Sequence, residues 1–564
     1  MRQHYLTVVR DNDIRVEQVM HRQVLDEASP YFGGFRDPFD LVEAKYAIYN
    51  TMLMITAYVT PESRFKDSSA LYERILAGFV FIKSVQHEDG SFDFNDCNFH
   101  SAPDTSFCIK RMLPVYCLLQ RDFPGSPDIA RILNIMKPII LDAAESVKHG
   151  GFHTPNHRWA IASALCMCTK VFGDPSFADS AKRYLDEGID CNEDGEYTER
   201  SAGNYNRVTN NALIMLAAAV GDDSYCEHVI RNLRMMLTYI EPDGSIFTNN
   251  STRQDRGKVY YPTDYYFEYL YIGHRFNIPE FLDAANYIFA LCDRLGILHQ
   301  DCAAEFMLLP ELIGFEHTGC GIPSEYRRFY TDSNIIRARS GRLSYSVISG
   351  CSSFLYFRSG SLTCGFKLGA SFFEHRAFIP ERLEALRPDG TPADAAYIGS
   401  DVPVVFRLFQ KMEGRYNLPF ADKPATSDWH KMDHSNRGTV PGTDMFFEIT
   451  VTPVSDGIDL GLNVYGTENA PFRLELSFDP GCRAESEHFI AEGHAGAGMV
   501  AKDGTLTVTK GNDAIELGPC FGTHNFTAGK FGSEPRNPEC FTVYLTDITP
   551  FEHKLRIRAL PASY

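Results

Sequence analysis

Between residues 40 and 295 apolar side chains recur every three or four positions, the period of a helix with one buried face. The pattern predicts ten helices, over 40–58, 68–86, 105–121, 128–147, 156–171, 176–189, 206–220, 224–240, 262–275 and 279–295. Two starts carry capping signals: Ser126-Pro127-Asp128 ahead of Ile129, and Asp174-Pro175-Ser176. Ten helices make five hairpins. A glycine followed within two residues by an aromatic or aliphatic side chain recurs at Gly33-Gly34-Phe35, Gly90-Ser91-Phe92, Gly150-Gly151-Phe152, Gly195-Glu196-Tyr197 and Gly244-Ser245-Ile246. The copies lie about 45 to 60 residues apart, one hairpin plus its loops. Hairpins of this kind bury their apolar faces on one another, in a solenoid or a closed α/α toroid. Long loops that differ from one another favour a toroid with a site at one mouth.

Beyond about residue 330 the helical period fades. Short runs rich in β-branched and aromatic residues begin at Tyr345, Phe354, Leu362, Phe446, Ile458 and Phe541, with Gly, Pro, Asn and Asp between them. They predict antiparallel sheets or a β-sandwich. The expected organisation is therefore α+β in two domains: an incomplete (α/α) toroid at 1–325 and an antiparallel β-sandwich domain at 330–564. The boundary falls near Gly319 to Pro323. The polar stretch 414–442 reads as a long loop over a surface or site.

Composition narrows the function classes. The 564 residues carry a formal charge of −19, a field that opposes nucleic acid and anionic membranes as partners. A local basic pocket for one acidic sugar is compatible with it. The longest apolar run, Ala212 to Val220, is too short to span a bilayer. Fifteen cysteines without a CxxC, many in apolar helical runs, read as reduced thiols. With no apolar leader in Met1 to Asp13, the expected address is cytoplasmic.

The loops that follow the glycine turns should share one rim. They offer His100 and Asp104; His153, Asn156, His157, Arg158 and Trp159; Glu199, Asn204, Tyr205 and Arg207; then Arg253 and Tyr261. Hydrolysis of a glycoside needs two carboxyls across the scissile bond, and Asp104 with Glu199 would supply them. Elimination at a uronic acid needs another kit. The sugar carboxylate must be neutralised so that C5 becomes acidic, a base must take that proton, and an acid must protonate the leaving oxygen. Asn, Arg, His and Tyr serve these roles, and the residues at 156–158 and 204–207 suit elimination better.

A helical-hairpin region followed by a β-rich region, with Asn156-His157-Arg158, Tyr205 about 48 residues on, and Phe372-Phe373-Glu374-His375-Arg376 in the early β-region, resembles the α/α-toroid polysaccharide lyases. These are the heparinase II/III-like and alginate-lyase group; enzymes that remove rhamnose from glucuronate are one candidate branch. The resemblance implies catalytic roles for His157, Tyr205, His375 and Asn156. Tyr205 and His157 would transfer protons, and Asn156 with His375 or Arg207 would neutralise the carboxylate. Arg158, Arg207, His100, Asp104, Trp159, Asn204, Glu199 and Tyr261 are the candidate substrate contacts. Each also has a plain structural reading: a local cap, a loop brace, or for Trp159 a place in the core.

The implied substrate partner is a uronate-containing oligosaccharide, with a homo-oligomer left open. No cofactor is required. A structural metal held by His317, Cys320 and His375 is admitted, while Gly150-Gly151 argues against one at His149 and His153. No phosphate loop and no GxSxG elbow is present. A glycoside hydrolase using Asp104 and Glu199, and a non-catalytic carbohydrate-binding protein, are the alternative readings.

Overall fold

A computed structural model describes residues 1–373, 375–400, 402–528 and 534–560; the side chains of Ser371, His375 and Arg376 lie outside the described residues. The chain divides into two compact units, Met1–Ile240 with Gly244–Ile322, and Glu241–Asp243 with Pro323–Tyr564.

The first unit is helical: α1 (Arg2–Arg22), α2 (Ala44–Val59), α3 (Ser69–Val85), α4 (Ala102–Asp122), α5 (Pro127–His149), α6 (Pro155–Phe172), α7 (Pro175–Leu185), α8 (Tyr205–Val220), α9 (Ser224–Leu237), α10 (Tyr266–Arg275), α11 (Pro279–Leu295) and the short α12 (Ala303–Leu308). The even helices α2, α4, α6, α8 and α10 pack on one another in sequence. Each odd helix packs outside its even partner. The ring closes through α1, where His4 stacks on Phe289 of α11 at 3.6 Å and bonds the Tyr266 hydroxyl of α10 at 3.0 Å. The ten expected helices are present, with Pro262–Tyr265 forming a 3-10 turn ahead of α10, and α1 and the short α12 are additions.

The glycine repeat has a physical cause. Gly33, Gly90, Gly195 and Gly244 all have positive φ, between 86° and 97°. A Cβ at Gly33 would lie 1.9 Å from the Ala77 carbonyl of α3, at Gly90 2.0 Å from Asp142 of α5, and at Gly195 2.4 Å from Arg231 of α9. These three turns thus dock on the backbone of the next odd helix, at a separation only glycine permits, and a Cβ at Gly244 would meet the Leu291 side chain of α11 instead. Gln23 and Gln86 repeat one brace: each donates to the turn's glycine carbonyl and to a carbonyl of that helix. Gly150 departs from the pattern: its φ is −77° and a Cβ there would meet Ala102. Because these turns sit between an odd helix and the following even one, the inner helices all start at one rim.

The second unit is antiparallel β. One sheet, in spatial order, joins β1 (Glu325–Tyr330), β2 (Ile335–Ser340), β3 (Leu343–Ile348), β4 (Ser353–Ser359), β5 (Leu362–Phe372), then the strands Pro471–Phe478 and Phe541–Ile548. The strand Gly498–Val500 extends it, pairing parallel with Phe541–Ile548. A second sheet includes Met445–Val454 between Gly457–Tyr465 and Val405–Met412. Their apolar faces, with Phe357, Phe366, Phe447 and Leu460 fully buried, form one core. The stretch 414–442 carries a small two-stranded pairing of Arg415–Asn417 with Thr439–Pro441. No helix among the described residues is long and apolar enough to cross a membrane. All fifteen cysteines are free thiols.

Candidate active site

The first turns of α4, α6 and α8 bring a polar cluster together. Three helix N-termini converge there, and their partial positive charge favours an anion. Ser101 caps α4: its Oγ accepts the Asp104 amide at 3.2 Å and donates to the Asp104 carboxylate at 2.7 Å. Lys45 of α2 adds an ion pair at 3.1 Å, and Asn98 a hydrogen bond at 3.2 Å. Burial raises the Asp104 carboxyl, but Lys45, Ser101 and Asn98 outweigh it and hold the group below the usual range.

On α6, Asn156 and His157 face this cluster. The Asn156 amide reaches Glu199 Oε2 at 2.7 Å and Thr154 Oγ1 at 3.1 Å, and its backbone N–H also donates to Glu199 at 3.0 Å. Both amide hydrogens are therefore committed. Asn156 fixes Glu199 and has no donor left for a sugar carboxylate, a correction to the neutralising role expected of it. Burial raises the Glu199 carboxyl, while Asn156 and Arg253 pull it down. His157 is pushed down to about 4, mainly by burial; Asp104 opposes the shift and His153, Lys45 and Arg253 reinforce it. The ring is neutral at pH 7. The His153 backbone N–H donates to Nδ1 at 3.3 Å, which leaves the ring proton on Nε2.

Tyr205 opens α8. Its amide donates to Ser201 Oγ at 3.1 Å, and Ser201 in turn donates to the buried Asp255, which also accepts from Gly203 N–H at 2.9 Å. A Cβ at Gly203 would lie 2.9 Å from the Tyr260 ring, so this turn needs glycine. The Arg253 guanidinium lies 5.1 Å from the Tyr205 ring centroid and 3.5 Å from Glu199 Oε1. Arg207 pairs with Asp264 at 3.2 Å and donates to Asn204 Oδ1 at 3.3 Å. Tyr261 is half-buried beside the short turn Pro262–Tyr265.

Other expected contacts point elsewhere. Trp159 is 0% exposed and its indole N–H donates to Asp190 at 2.6 Å, so it has no face for a sugar. Arg158 is tied to Glu187 and lies 3.8 Å from Asp190. His100 bonds Asp89 at 2.9 Å and stacks on His87 at 3.9 Å within its own loop. The burial of Trp159 corrects its expected substrate role, while Arg158 and His100 are each engaged by acidic neighbours. The strand His375–Ala377 pairs with β5, but the His375 side chain lies outside the described residues. His317 bonds Asp283 at 2.6 Å. The one grouping of metal-ligating side chains found among the described residues is the exposed Glu487, His488 and Asp503.

Two contributors had no role from the sequence alone. Arg253 lay in a recognised rim loop, and its partners Glu199 and Tyr205 appear only in three dimensions. Lys45 is the one charged residue of an otherwise apolar or polar-neutral α2, a signal that was there to be read.

A ring of helical hairpins followed by antiparallel β-sheets is the fold of the α/α-toroid polysaccharide lyases, and this chain has it. The chain aligns over 99% of its length with 84% of a mutant heparan sulfate lyase from Pedobacter heparinus, at 9% identity and a TM-score of 0.52. It aligns over 99% with 80% of a chondroitin AC lyase from Streptomyces coelicolor in complex with chondroitin sulphate, at 11% identity and a TM-score of 0.54. A Paenibacillus xanthan lyase matches the whole chain over 57% of its own length, at 9% identity and a TM-score of 0.56. No protein-family profile matches the chain, and no curated protein does.

Proposed function

We propose that the protein is a lyase that cleaves a glycosidic bond at a uronic acid by β-elimination, leaving a 4,5-unsaturated uronate. The observation that carries this reading is the cluster of a neutral His157, Tyr205 and Arg253, beside carboxylates already engaged by the protein. Tyr205 takes the C5 proton and returns a proton to the leaving oxygen. The C4–O bond breaks and the electron pair of the C5–H bond becomes the C4=C5 double bond. Arg253, the Nε2–H of His157 and the open edge of Arg207 stabilise the carboxylate as it takes on enolate character, the electrostatic term expected to be largest. Arg253 also sets a positive charge beside the phenol ring, favouring negative charge that develops on its oxygen.

Asp104 and Glu199 are poor hydrolytic carboxyls. Both are buried, and Asp104 spends both oxygens on protein donors. The structural neighbours named for heparan sulfate and chondroitin support a glycan substrate. His375 remains a proposed contributor from the β-unit. We place the activity in the cytoplasm, on short oligosaccharides. The test is a screen of uronate-containing oligosaccharides for ultraviolet-absorbing product. Reducing ends without absorbance would replace the lyase with a hydrolase, and binding without either product would leave a carbohydrate-binding protein.

A further inference from the structure

Tyr205 and Arg253 come from different loops of the helical unit. Tyr205 opens α8 after the turn at 199–204, and Arg253 lies in the loop at 249–257. Asp255, in the second loop, is 1% exposed, and among the described residues no cation pairs with it. A buried carboxyl without a counter-ion is costly unless hydrogen bonds replace its water. Three donors do so here. Gly203 N–H donates to Oδ2 at 2.9 Å, Ser201 Oγ donates to Oδ1 at 2.9 Å, and Ser251 Oγ donates to the same Oδ1.

Both serines are used twice. A hydroxyl has one proton to give and an oxygen that still accepts. Each serine gives its proton to Asp255. The Ser201 oxygen accepts the Tyr205 backbone N–H at 3.1 Å, and the Ser251 oxygen accepts the Arg253 backbone N–H at 3.1 Å. One oxygen of Asp255 therefore stands two hydrogen bonds from the backbone of the phenol and two from the backbone of the guanidinium. The loops are tied once more where Thr252 Oγ1 donates to the Glu199 carbonyl at 2.8 Å. A Cβ at Gly203 would lie 3.0 Å from Asp255 Oδ2, so the first turn comes as close to the carboxyl as glycine allows. The Arg253 guanidinium ends 5.1 Å from the Tyr205 ring centroid. Asp255, Ser201 and Ser251 are all buried, so what they contribute passes through Tyr205 and Arg253.

We propose that Asp255 is a positioning residue, whose two serine arms set the placement of the Arg253 guanidinium against the Tyr205 phenol. This rests on the lyase reading, in which the phenol carries the proton and the guanidinium stabilises the charge that develops beside it. The residue type follows from the donors it faces. A carboxylate accepts from all three, whereas an amide would turn an N–H toward one of them.

The test uses the full chain grown with meta-fluorotyrosine and read by fluorine NMR. The resonance absent from Tyr205→Phe belongs to that ring. Arg253→Met should shift it, because the charge leaves the ring face. Ser251→Ala cuts only the arm to Arg253 and should shift it too, although the Ser251 hydroxyl bonds Asp255 and the Arg253 amide, not the ring. In the Arg253→Met background Ser251→Ala should move it no further. Asp255→Asn should shift it as well; should that variant not fold, Ser201→Ala and Ser251→Ala carry the comparison. In turnover, Ser251→Ala should lower kcat by about 10-fold alone and by less than about twofold when Arg253→Met is already present. A merely structural serine would lower the melting temperature and cost the same kcat in both backgrounds. A Tyr205 resonance unmoved by Ser251→Ala, or an equal kcat loss with and without Arg253, overturns the proposal. Failure of the lyase reading is separate: it shows as no ultraviolet-absorbing product from any uronate substrate, and the fluorine spectra still decide whether Asp255 places the pair.

Discussion

At the rim, Asp104 meets Lys45, Ser101 and Asn98, and Glu199 meets Asn156 and Arg253. A turn and a half down α4, Lys110 has no such partner, and the carboxyl nearest to it in effect is driven toward its neutral form. Both regions are buried and both are rich in ionisable groups. The rim spends protein donors to keep its charges, so its geometry is set before substrate arrives, which is what proton transfer requires. The interior leaves its amine without a charge partner, and burial lowers it to about 7. The expected effects of substitution follow from that difference.

Tyr205→Phe removes the proposed proton carrier and should have the largest effect. Turnover should fall by about 100-fold or more, with an unchanged far-ultraviolet circular dichroism spectrum and melting temperature. The hydroxyl is not needed for the Ser201–Asp255 network that holds the turn, because that network uses the Tyr205 amide. Near-normal turnover in this variant would remove Tyr205 from the mechanism.

Arg253→Met probes how far the rim depends on pairing. It strips the cation from Glu199, whose carboxyl is buried, and should cost up to about 3 kcal/mol of stability. Adding Glu199→Gln should recover much of that stability without recovering activity, since the charge beside Tyr205 is still missing. If thermal denaturation shows no loss for Arg253→Met, the ion pair is not part of what holds the rim.

His157 gives a prediction in pH. Burial holds its folded-state value at about 4, and an unfolded histidine titrates near 6.5. Between those values the unfolded chain binds a proton that the folded chain does not. Stability from this group is thus complete above about pH 6.5, declines as pH falls, and levels off below about 4. The stability difference between wild type and His157→Gln should shrink over that window. His4, also lowered to about 4, is common to both proteins and cancels. In the pH profile of kcat/KM, no inflection near 6–7 should disappear with this variant. An inflection lost there would mean that His157 is charged in the resting site.

The same contrast explains what could be read from the chain. The ten central helices and the β-rich half follow from periodicity because their apolar positions are buried with few exceptions. The missing helix, α1, buries Asp11, Asn12 and Asp13. Asp11 holds His299, and Asp13 holds Ser63 and the Arg64 amide, so polar residues occupy positions where a pattern search expects apolar ones. The rim loops were locatable from the glycine turns, but direction within them was not. Residues 156 to 159 are consecutive, yet Asn156 and His157 face the cluster while Arg158 and Trp159 turn to Glu187 and Asp190. A helix rotates about 100° per residue, so a run of chemically attractive side chains at its start cannot all serve one site. Lys110 was hidden for the opposite reason: next to Arg111 in a helix that also carries Arg121 and Asp122, it reads as part of a charged surface until its burial is seen.

Glu268→Gln should have the smallest effect on activity and an informative one on stability. Burial is the main cause of its raised carboxyl, and Asn210, Arg207 and Lys110 only partly oppose it. Glutamine imitates the neutral acid that this burial favours, including an oxygen to accept from Asn210. The unfolded chain ionises this group near 4.3. As pH rises above that value, the unfolded state loses a proton that the folded state keeps, so the native glutamate costs progressively more stability. The variant should match the wild type near pH 4 and become more stable than it as pH rises toward 8, while turnover at pH 7 stays within about twofold. Measuring melting temperature against pH for the two proteins decides this. A variant less stable than wild type at pH 7 would mean that Glu268 is ionised and pairs with Lys110. That would erase the contrast between interior and rim.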